Sequence, residues 1–196
     1  MARVQTTQEN ILAAALSILK EFGTEGLTMR KVAAEASMSL GNLQYHFKDR
    51  TFLLAGLADH YFSECSALLD DYEHSPPGGT SDEKLTTLLS LLLEHVDPIS
   101  DMCRIFREMW TLAARDEEMQ ARLVQYYQTF YGKLTHLLSP IAGSEEAAEW
   151  MAHLIVPYLE GYSITFAALP RGKAETVAML VNLCLHWCEE ETQTDS

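Results

Sequence analysis

The stretch Leu27–Arg50, which reads LTMRKVAAEASMSLGNLQYHFKDR, predicts two short helices separated by a tight turn. Thr28 and Ser39 each precede a helical pattern and are good N-cap residues, because their side-chain oxygens can accept hydrogen bonds from free backbone N–H groups. Ser37 and Met38 lie between the two helices and are expected to form the turn. Two short helices joined in this way and packed on a longer helix form a helix-turn-helix.

The helices on either side of this stretch are predicted from their caps. Before it, Thr6 and Glu9 form a capping box, and Gly23 is expected to stop the first helix. After it, Asp49 is expected to cap a longer helix. The apolar residues expected to face inward are Leu12, Leu16, Leu19 and Phe22 in the first helix and Phe52, Leu53, Leu57, Tyr61 and Leu68 in the longer one.

The rest of the chain predicts further helices and no strand, because apolar residues recur with the helical period and strict alternation is absent. The segment Ser75–Ser81 (SPPGGTS) is the clearest break, and Thr80 with Glu83 is expected to open a helix rich in leucine. Later helices are expected from Asp97 through Ala114, from Asp116 to Pro140 and Gly143, from Ser144 to about Leu169, and from Gly172 through Trp187, with a frayed tail after Glu189. The predicted fold class is therefore all-α, with about nine helices and no internal repeat.

The helix-turn-helix stretch resembles the DNA-binding signature of the tetracycline-repressor (TetR) family. The resemblance rests on Leu27–Ala33 and on Ser39–Arg50, whose core is a Gly-x-x-x-Tyr-His-Phe pattern that begins at Gly41, and it is close over residues 11–57. It implies a sequence-specific transcriptional regulator, most commonly a repressor, that binds a palindromic operator in double-stranded DNA. It also implies that a small-molecule effector releases the protein from this operator.

The same resemblance implies two domains and a homodimer. Residues 1–48 are expected to form the helix-turn-helix DNA-binding domain, and residues 49–196 a helical domain for ligand binding and dimerisation. The chain departs from the family pattern at Ser37, where glycine is common, and at Arg50, where lysine is usual. A serine in a left-handed turn costs around 1 kcal/mol. Arginine keeps the positive charge of lysine, and its planar guanidinium group can donate two hydrogen bonds to a phosphate.

The second short helix carries the side chains expected to read bases. Gly41 lets the backbone approach DNA, and Asn42 and Gln44 can pair with adenine edges. The resemblance implies backbone or base contact for Tyr45 and phosphate contact for Lys48. The residues expected to anchor the helix from its opposite face are Leu43 and Phe47. The expected DNA contacts are Thr28, Arg30, Ser39, Leu40, Gly41, Asn42, Gln44, Tyr45, His46, Lys48 and Arg50.

The formal net charge of −14 argues at first against a nucleic-acid partner, because phosphates repel acidic surfaces. The distribution of charge weakens this objection. Residues 1–55 carry six basic and five acidic residues, about +1, so the remainder carries about −15. A near-neutral N-terminal part joined to an acidic remainder permits DNA binding by the N-terminal part.

The implied ligand pocket has candidates among the aromatic, methionine and acidic residues of the later helices. Such side chains suit a shaped apolar cavity, and acids with tyrosines suit a cationic or amphipathic ligand. Pro157 inside an apolar helix frees a backbone carbonyl and is expected to kink a pocket wall. For each residue alone, packing in the core is the alternative. The candidates are Met102, Phe106, Met109, Trp110, Tyr127, Tyr131, Met151, His153, Tyr158, Glu160 and Tyr162.

The last two helices are the expected dimer surface, because they are long, apolar and terminal. Two such helices paired with their copies form a four-helix bundle. The alternative is that they pack only within one chain. The small residues expected to allow close contact between helices are Ala147, Ala148, Ala152, Gly161, Ala167 and Ala168.

Other chemistry finds little support in the sequence. In Cys184-x-His186-x-Cys188, residues two apart on a helix point about 200° away from each other, so the three cannot share one metal ion. No phosphate-binding loop or nucleophile elbow is present, so no cofactor, metal or catalytic residue is expected. No apolar run is long enough to cross a bilayer, and a cytoplasmic protein with reduced cysteines and no membrane partner is expected. The alternative function is a helical scaffold protein whose acidic part, beyond residue 55, binds a protein partner.

Overall fold

The computed structural model describes residues 6–95, 107 and 109–194, and every regular element within these ranges is helical. The helices are α1 Thr7–Gly26, α2 Met29–Glu35, α3 Leu40–His46, α4 Arg50–His74, α5 Ser81–His95, α6 (described at 109–113), α7 Glu117–Ala142, α8 Glu145–Thr165 and α9 Lys173–Thr194, with a 3₁₀ turn at Phe166–Ala168. The all-α prediction is confirmed. The predicted helix start at Asp97, the pocket candidates Met102 and Phe106, and the side chains of Thr24, Cys65, His95 and 187–194 lie outside the described residues.

The predicted caps set the starts of several helices. Thr6 N–H donates to Glu9 Oε2 at 2.7 Å, and Glu9 N–H donates back to Thr6 Oγ1 at 3.2 Å. The same reciprocal pair joins Thr80 and Glu83, at 2.9 and 3.3 Å. Asp49 Oδ1 accepts from the backbone N–H groups two and three residues later, at 2.9 and 3.2 Å. These bonds satisfy N–H groups that have no partner within the helix, which is why α1, α4 and α5 begin where the sequence predicts.

Gly23 breaks α1 as predicted. Its backbone has φ 67° and ψ −174°, which only glycine adopts readily, and a short helical segment follows to Gly26. Pro140, by contrast, was wrongly predicted to stop its helix, because α7 continues through it to Ala142. The stop is Gly143, with φ 84°. The last two helices also differ from prediction, since α8 ends at Thr165 and α9 continues to Thr194 where a frayed tail was expected.

Two phenylalanines predicted to face the core are exposed instead. Phe22 is 51% and Phe52 43% exposed. In α1 the fully buried positions are Ile11, Ala15 and Leu19. A helical period fits neighbouring stripes nearly equally well, and small alanines that allow close packing give a weaker sequence signal than large side chains.

The chain divides into two compact units, each with its own core. Unit 1 takes the described residues of 1–64 and 101–123, and unit 2 those of 65–100 and 124–196. The core of unit 1 joins α1 to α4 with residues of α6 and the start of α7, including Met109 and Met119. The core of unit 2 joins α5 and the end of α4 with α7, α8 and α9, and five leucines of α5 are buried in it. The predicted boundary at residue 48 stays a prediction, because these units reflect packing and not DNA contact.

None of the described helices combines the length and the apolar character that crossing a bilayer requires.

Replacing Gly23 with alanine is expected to lower the free energy of unfolding by about 1–3 kcal/mol, because this backbone conformation is open almost only to glycine. A Cβ at Gly23 meets nothing within 4 Å, so crowding is not the cause. Gly132→Ala is the matched control, since Gly132 is equally open but lies inside α7, where alanine stabilises by up to about 1 kcal/mol. Urea unfolding followed by circular dichroism measures both variants, and shifts of the same sign in both would contradict this reading.

Candidate DNA-binding and ligand sites

The turn between α2 and α3 has the geometry that the sequence predicts. Thr28 Oγ1 accepts from Lys31 N–H at 3.3 Å, and Ser39 Oγ accepts from Asn42 N–H at 3.2 Å, so both predicted N-caps are confirmed. Ser37 has φ 54°, the left-handed conformation in which glycine is more usual. Its backbone N–H donates to the Ala34 carbonyl at 3.0 Å. The turn is therefore closed by backbone hydrogen bonds even with serine in place of glycine.

Helix α3 is anchored on one side and open on the other. Leu43 is completely buried and Phe47 is 8% exposed. The Phe47 ring lies so close to Gly56 of α4 that a Cβ there would come within 2.5 Å of it. On the opposite side, the exposed residues are Gly41, Asn42, Gln44 and Tyr45, with Tyr45 86% exposed. Leu40, one of the expected DNA contacts, is half-buried and packs against the core of unit 1.

Two exposed lysines near α3 lie over the rings of the two exposed phenylalanines. Lys31 Nζ is 4.6 Å from the centre of the Phe22 ring, and Lys48 Nζ is 5.9 Å from the centre of the Phe52 ring. Each phenylalanine thus has a cation–π contact that accounts for its place at the surface. Lys31 was not among the predicted DNA contacts, and the signal that could have found it is its position in the first turn of α2.

The remaining predicted DNA contacts differ in their exposure to solvent. Arg30, Thr28 and Ser39 are exposed, and His46 is half-buried with its ring packed edge-on against that of Tyr45. Arg50 is half-buried, and its Nε donates to the Leu27 carbonyl at 3.1 Å. This bond fixes the start of α4 to the connection between α1 and α2.

Two family models match the chain. That of bacterial regulatory proteins, TetR family, matches residues 11–57, and that of the C-terminal part of BetI-type transcriptional repressors matches residues 81–191. An uncharacterised HTH-type transcriptional regulator from the dhlA 5′ region of Xanthobacter autotrophicus is 41% identical over 177 residues, 90% of this chain and 88% of that protein.

The chain belongs to the TetR family of bacterial regulatory proteins. It is accordingly a DNA-binding transcriptional regulator, which confirms the family and function expected from the sequence.

Solved structures of TetR-like fold agree with this assignment. A transcriptional regulator from Rhodococcus sp. RHA1 superposes with a TM-score of 0.72 at 20% identity, covering 92% of this chain and 97% of that one. The regulator FadR from Bacillus subtilis, solved in complex with stearoyl-CoA, superposes with a TM-score of 0.67 at 15% identity, covering 90% and 96%. At these identities the likeness establishes the fold.

The structure brings together three of the candidate pocket residues of this TetR-family protein. Tyr127 and Tyr131 of α7 lie beside Glu160 of α8 in unit 2, and Tyr127 Oη donates to Glu160 Oε1 at 2.9 Å. His153 of α8 lines a groove together with Tyr131. Met109 is buried in the core of unit 1, Met151 and Tyr162 are buried in that of unit 2, Tyr158 is half-buried, and Trp110 and His153 are exposed.

Burial controls the electrostatics of this group. It raises the pKa of the Glu160 carboxyl above its ordinary value, and the hydrogen bond from Tyr127 offsets this only in part. Burial also raises the pKa of Tyr131, and the negative charge of Glu160 raises it further. No ion pair joins Glu160 to a basic side chain in the part of the chain that the structure describes.

Exposed apolar residues lie on both α8 and α9, and together they are called the apolar stripe. On α8 it follows Trp150, Leu154, Pro157, Gly161 and Ile164, at alternating intervals of four and three residues. The most exposed large side chains of the stripe are Trp150 at 48%, Ile164 at 62%, Met179 at 49% and Leu183 at 51%. Of the small residues predicted to allow close contact between helices, Ala147, Ala148 and Ala152 are buried, the last two in the core of unit 2.

The raised pKa of Glu160 predicts a pH-dependent stability. The folded chain binds this proton more tightly than the unfolded chain does, so the stability it contributes is present below about pH 4.5 and is lost as pH rises through the folded-state pKa. Glu160→Gln does not titrate and keeps an acceptor for Tyr127. Its melting temperature is therefore expected to rise relative to wild type between acidic and neutral pH. Thermal unfolding across this range checks it, with the exposed Glu146→Gln on the same helix as control; parallel curves for all three proteins contradict it.

Proposed function

We propose that this TetR-family regulator is a repressor that reads a palindromic operator as a homodimer and is released by a small-molecule effector bound in unit 2. The observation that carries the proposal is the exposed polar face of α3, which the buried side chains of Leu43 and Phe47 hold outward. A side chain as large and as exposed as Tyr45 has no role in the core of its own unit.

The exposed residues of α3 have the chemistry of base recognition. The amides of Asn42 and Gln44 can each pair with the N6 and N7 edge of adenine, and Gly41 leaves the backbone free to approach the groove. Leu40 and Tyr45 add apolar and hydroxyl contacts at the two ends of this face. These residues are proposed to determine which operator sequence is bound.

Charged and hydroxyl side chains around α3 are proposed to bind phosphates. Lys31 and Lys48 are held by phenylalanine rings, which restrict the side chains while leaving the ammonium groups at the surface. Because the chain beyond residue 55 is strongly acidic, the phosphate backbone is attracted only to the N-terminal part. The other proposed contacts of this kind are Thr28, Arg30, Ser39, His46 and Arg50.

The apolar stripe of α8 and α9 is proposed to bind a second copy of the chain. Its spacing of four and three residues is that of a helix seam that packs against another helix. Two helices from each chain form a four-helix bundle, and its two-fold axis accounts for a palindromic operator with half-sites one or more helical turns apart.

The effector is proposed to act on the position of α4. This helix is continuous from Arg50 in unit 1 to His74 in unit 2, so a displacement of its second half is carried into its first half. An effector that binds one arrangement of unit 2 more tightly shifts the population towards it and changes the spacing of the two α3 helices. The FadR complex with stearoyl-CoA supports a small-molecule effector, because that protein has the same fold.

The first test is to retain sheared genomic DNA of the host on the purified protein at about 150 mM salt and to sequence it. Wild type is expected to retain a few fragments that share a palindrome, and Tyr45→Ala is expected to lose them. Gln44→Ala should relax the choice of base at one position by about 1–3 kcal/mol, and Lys48→Met should weaken all fragments alike and reduce the salt slope by about 1. Lys84→Met, on α5, is the control. Equal retention by wild type and Tyr45→Ala would contradict the proposal that the exposed face of α3 recognises bases, and it would favour the scaffold alternative.

The dimer surface predicts a second result. A charge in the stripe, Ile164→Glu or Leu183→Glu, is expected to weaken self-association by about 30-fold or more, because it loses at least about 2 kcal/mol at a desolvated position. Val124→Glu is the matched control, since Val124 is 49% exposed but lies on α7 outside the stripe. Sedimentation equilibrium measures the association. Dissociation by Val124→Glu, or an intact dimer in both stripe variants, would place the interface elsewhere.

A further inference from the structure

The two lysines of unit 1 that lie over phenylalanine rings have no carboxylate partner. Arg122, in the same unit, pairs with Asp59 at 3.1 Å and with Glu118 at 3.2 Å. Among the described residues, by contrast, neither Lys31 nor Lys48 forms an ion pair. The positive charge of each ammonium group is therefore not neutralised by a described side chain.

Each of these lysines has an acidic neighbour in the sequence that is bound to another group. Glu35 lies four residues after Lys31, a spacing that commonly gives an ion pair on a helix, but its Oε1 accepts from Ser17 Oγ at 3.4 Å. Asp49 follows Lys48 directly, but its Oδ1 accepts from the backbone N–H groups that begin α4, at 2.9 and 3.2 Å. The fold thus gives both lysines an aromatic ring as their partner and directs the nearest carboxylates elsewhere.

The contact between Lys31 and Phe22 joins two segments whose backbones are fixed. Gly23 turns the chain directly after Phe22, with φ 67°. The segment that follows returns so close that a Cβ at Gly26 would collide with the Cβ of Phe22. On the other side, the Lys31 N–H donates to Thr28 Oγ1 at 3.3 Å. Only the lysine side chain is therefore left to be ordered, and the ring lies against its ammonium group.

An aromatic ring orients an ammonium group without cancelling its charge. The attraction acts on the quadrupole of the ring, so the net positive charge remains, and the N–H bonds that point away from the ring can still donate to a phosphate. A carboxylate partner would neutralise the charge and compete with the phosphate for the same donors. A side chain that is already oriented also loses less conformational freedom when it binds.

We propose that Phe22 and Phe52 are positioning residues for DNA binding, each of which orients one lysine, Lys31 or Lys48, towards a phosphate while leaving its charge intact. The proposal rests on the proposed function, in which these lysines contact the DNA backbone. The affinity for DNA then depends on two apolar side chains that act through the lysines. Phe22 is expected to contribute more than Phe52, because its ring centre lies 4.6 Å from the ammonium nitrogen and that of Phe52 lies 5.9 Å away.

A double-mutant cycle on the full-length protein tests the proposal. Fluorescence anisotropy measures binding to a labelled random-sequence duplex of about 30 base pairs at several salt concentrations. Phe22→Leu is expected to weaken binding about two- to fivefold, and Phe52→Leu to weaken it less. Phe22→Tyr keeps an aromatic face and should retain wild-type affinity. Lys31→Met should reduce the slope of log affinity against log salt by about 1, whereas Phe22→Leu should leave the slope unchanged, because the same phosphates are still neutralised.

The cycle distinguishes positioning from a purely structural role. Phe22→Leu should cause no further loss when it is added to Lys31→Met, but it should weaken Lys48→Met as much as it weakens wild type. The corresponding cycle for Phe52 and Lys48 is a second, independent test, and circular dichroism confirms that each variant is folded. Equal losses from Phe22→Leu in both lysine backgrounds, no loss in wild type, or an equal loss in Phe22→Tyr would overturn the proposal.

Retention of genomic DNA by the same wild-type preparation separates this failure from that of the proposed function. A protein that selects palindromic fragments but shows no coupling remains a regulator whose lysines act independently of the rings. Coupling on the random duplex without selection of any fragment contradicts the sequence-specific function and not the positioning role. A wild-type protein that binds no DNA overturns both.

Discussion

The burial of Leu43 and Phe47 in unit 1 determines what the rest of α3 can do. A helix of seven residues with Leu43 fully enclosed has to turn Gly41, Asn42, Gln44 and Tyr45 towards solvent. The Phe47 ring then fits against α4 only because residue 56 has no side chain. The direction of the polar face is therefore fixed by apolar packing within unit 1.

Features that depend on neighbouring residues could be predicted from the sequence. The capping boxes at Thr6 and Thr80 and the caps at Thr28, Ser39 and Asp49 each involve residues two or three apart, so the pattern itself contains the interaction. The left-handed turn at Ser37 could be placed for the same reason.

Features that depend on which elements meet could not be predicted. The sequence pattern placed Phe22 and Phe52 in the core because both lie on plausible apolar stripes, and only the packing of the helices shows that both rings stay at the surface. The Lys31–Phe22 contact joins two helices, so no spacing rule could reveal it. Tyr127 and Glu160 were both candidates for the pocket, but they are 33 residues apart, and their hydrogen bond depends on how α7 packs against α8.

Helix α8 connects the two proposals made for unit 2. It carries Glu160 and also the stripe from Trp150 to Ile164 that is proposed to bind the second copy. Pro157, one residue of this stripe, cannot donate a backbone hydrogen bond and leaves the carbonyl four residues earlier without its helical partner, so α8 bends most easily there. An effector shifts an equilibrium only by as much as its affinity differs between two states. Under the proposed function, an effector that favours one curvature of α8 also favours one arrangement of the stripe that is proposed to bind the second copy.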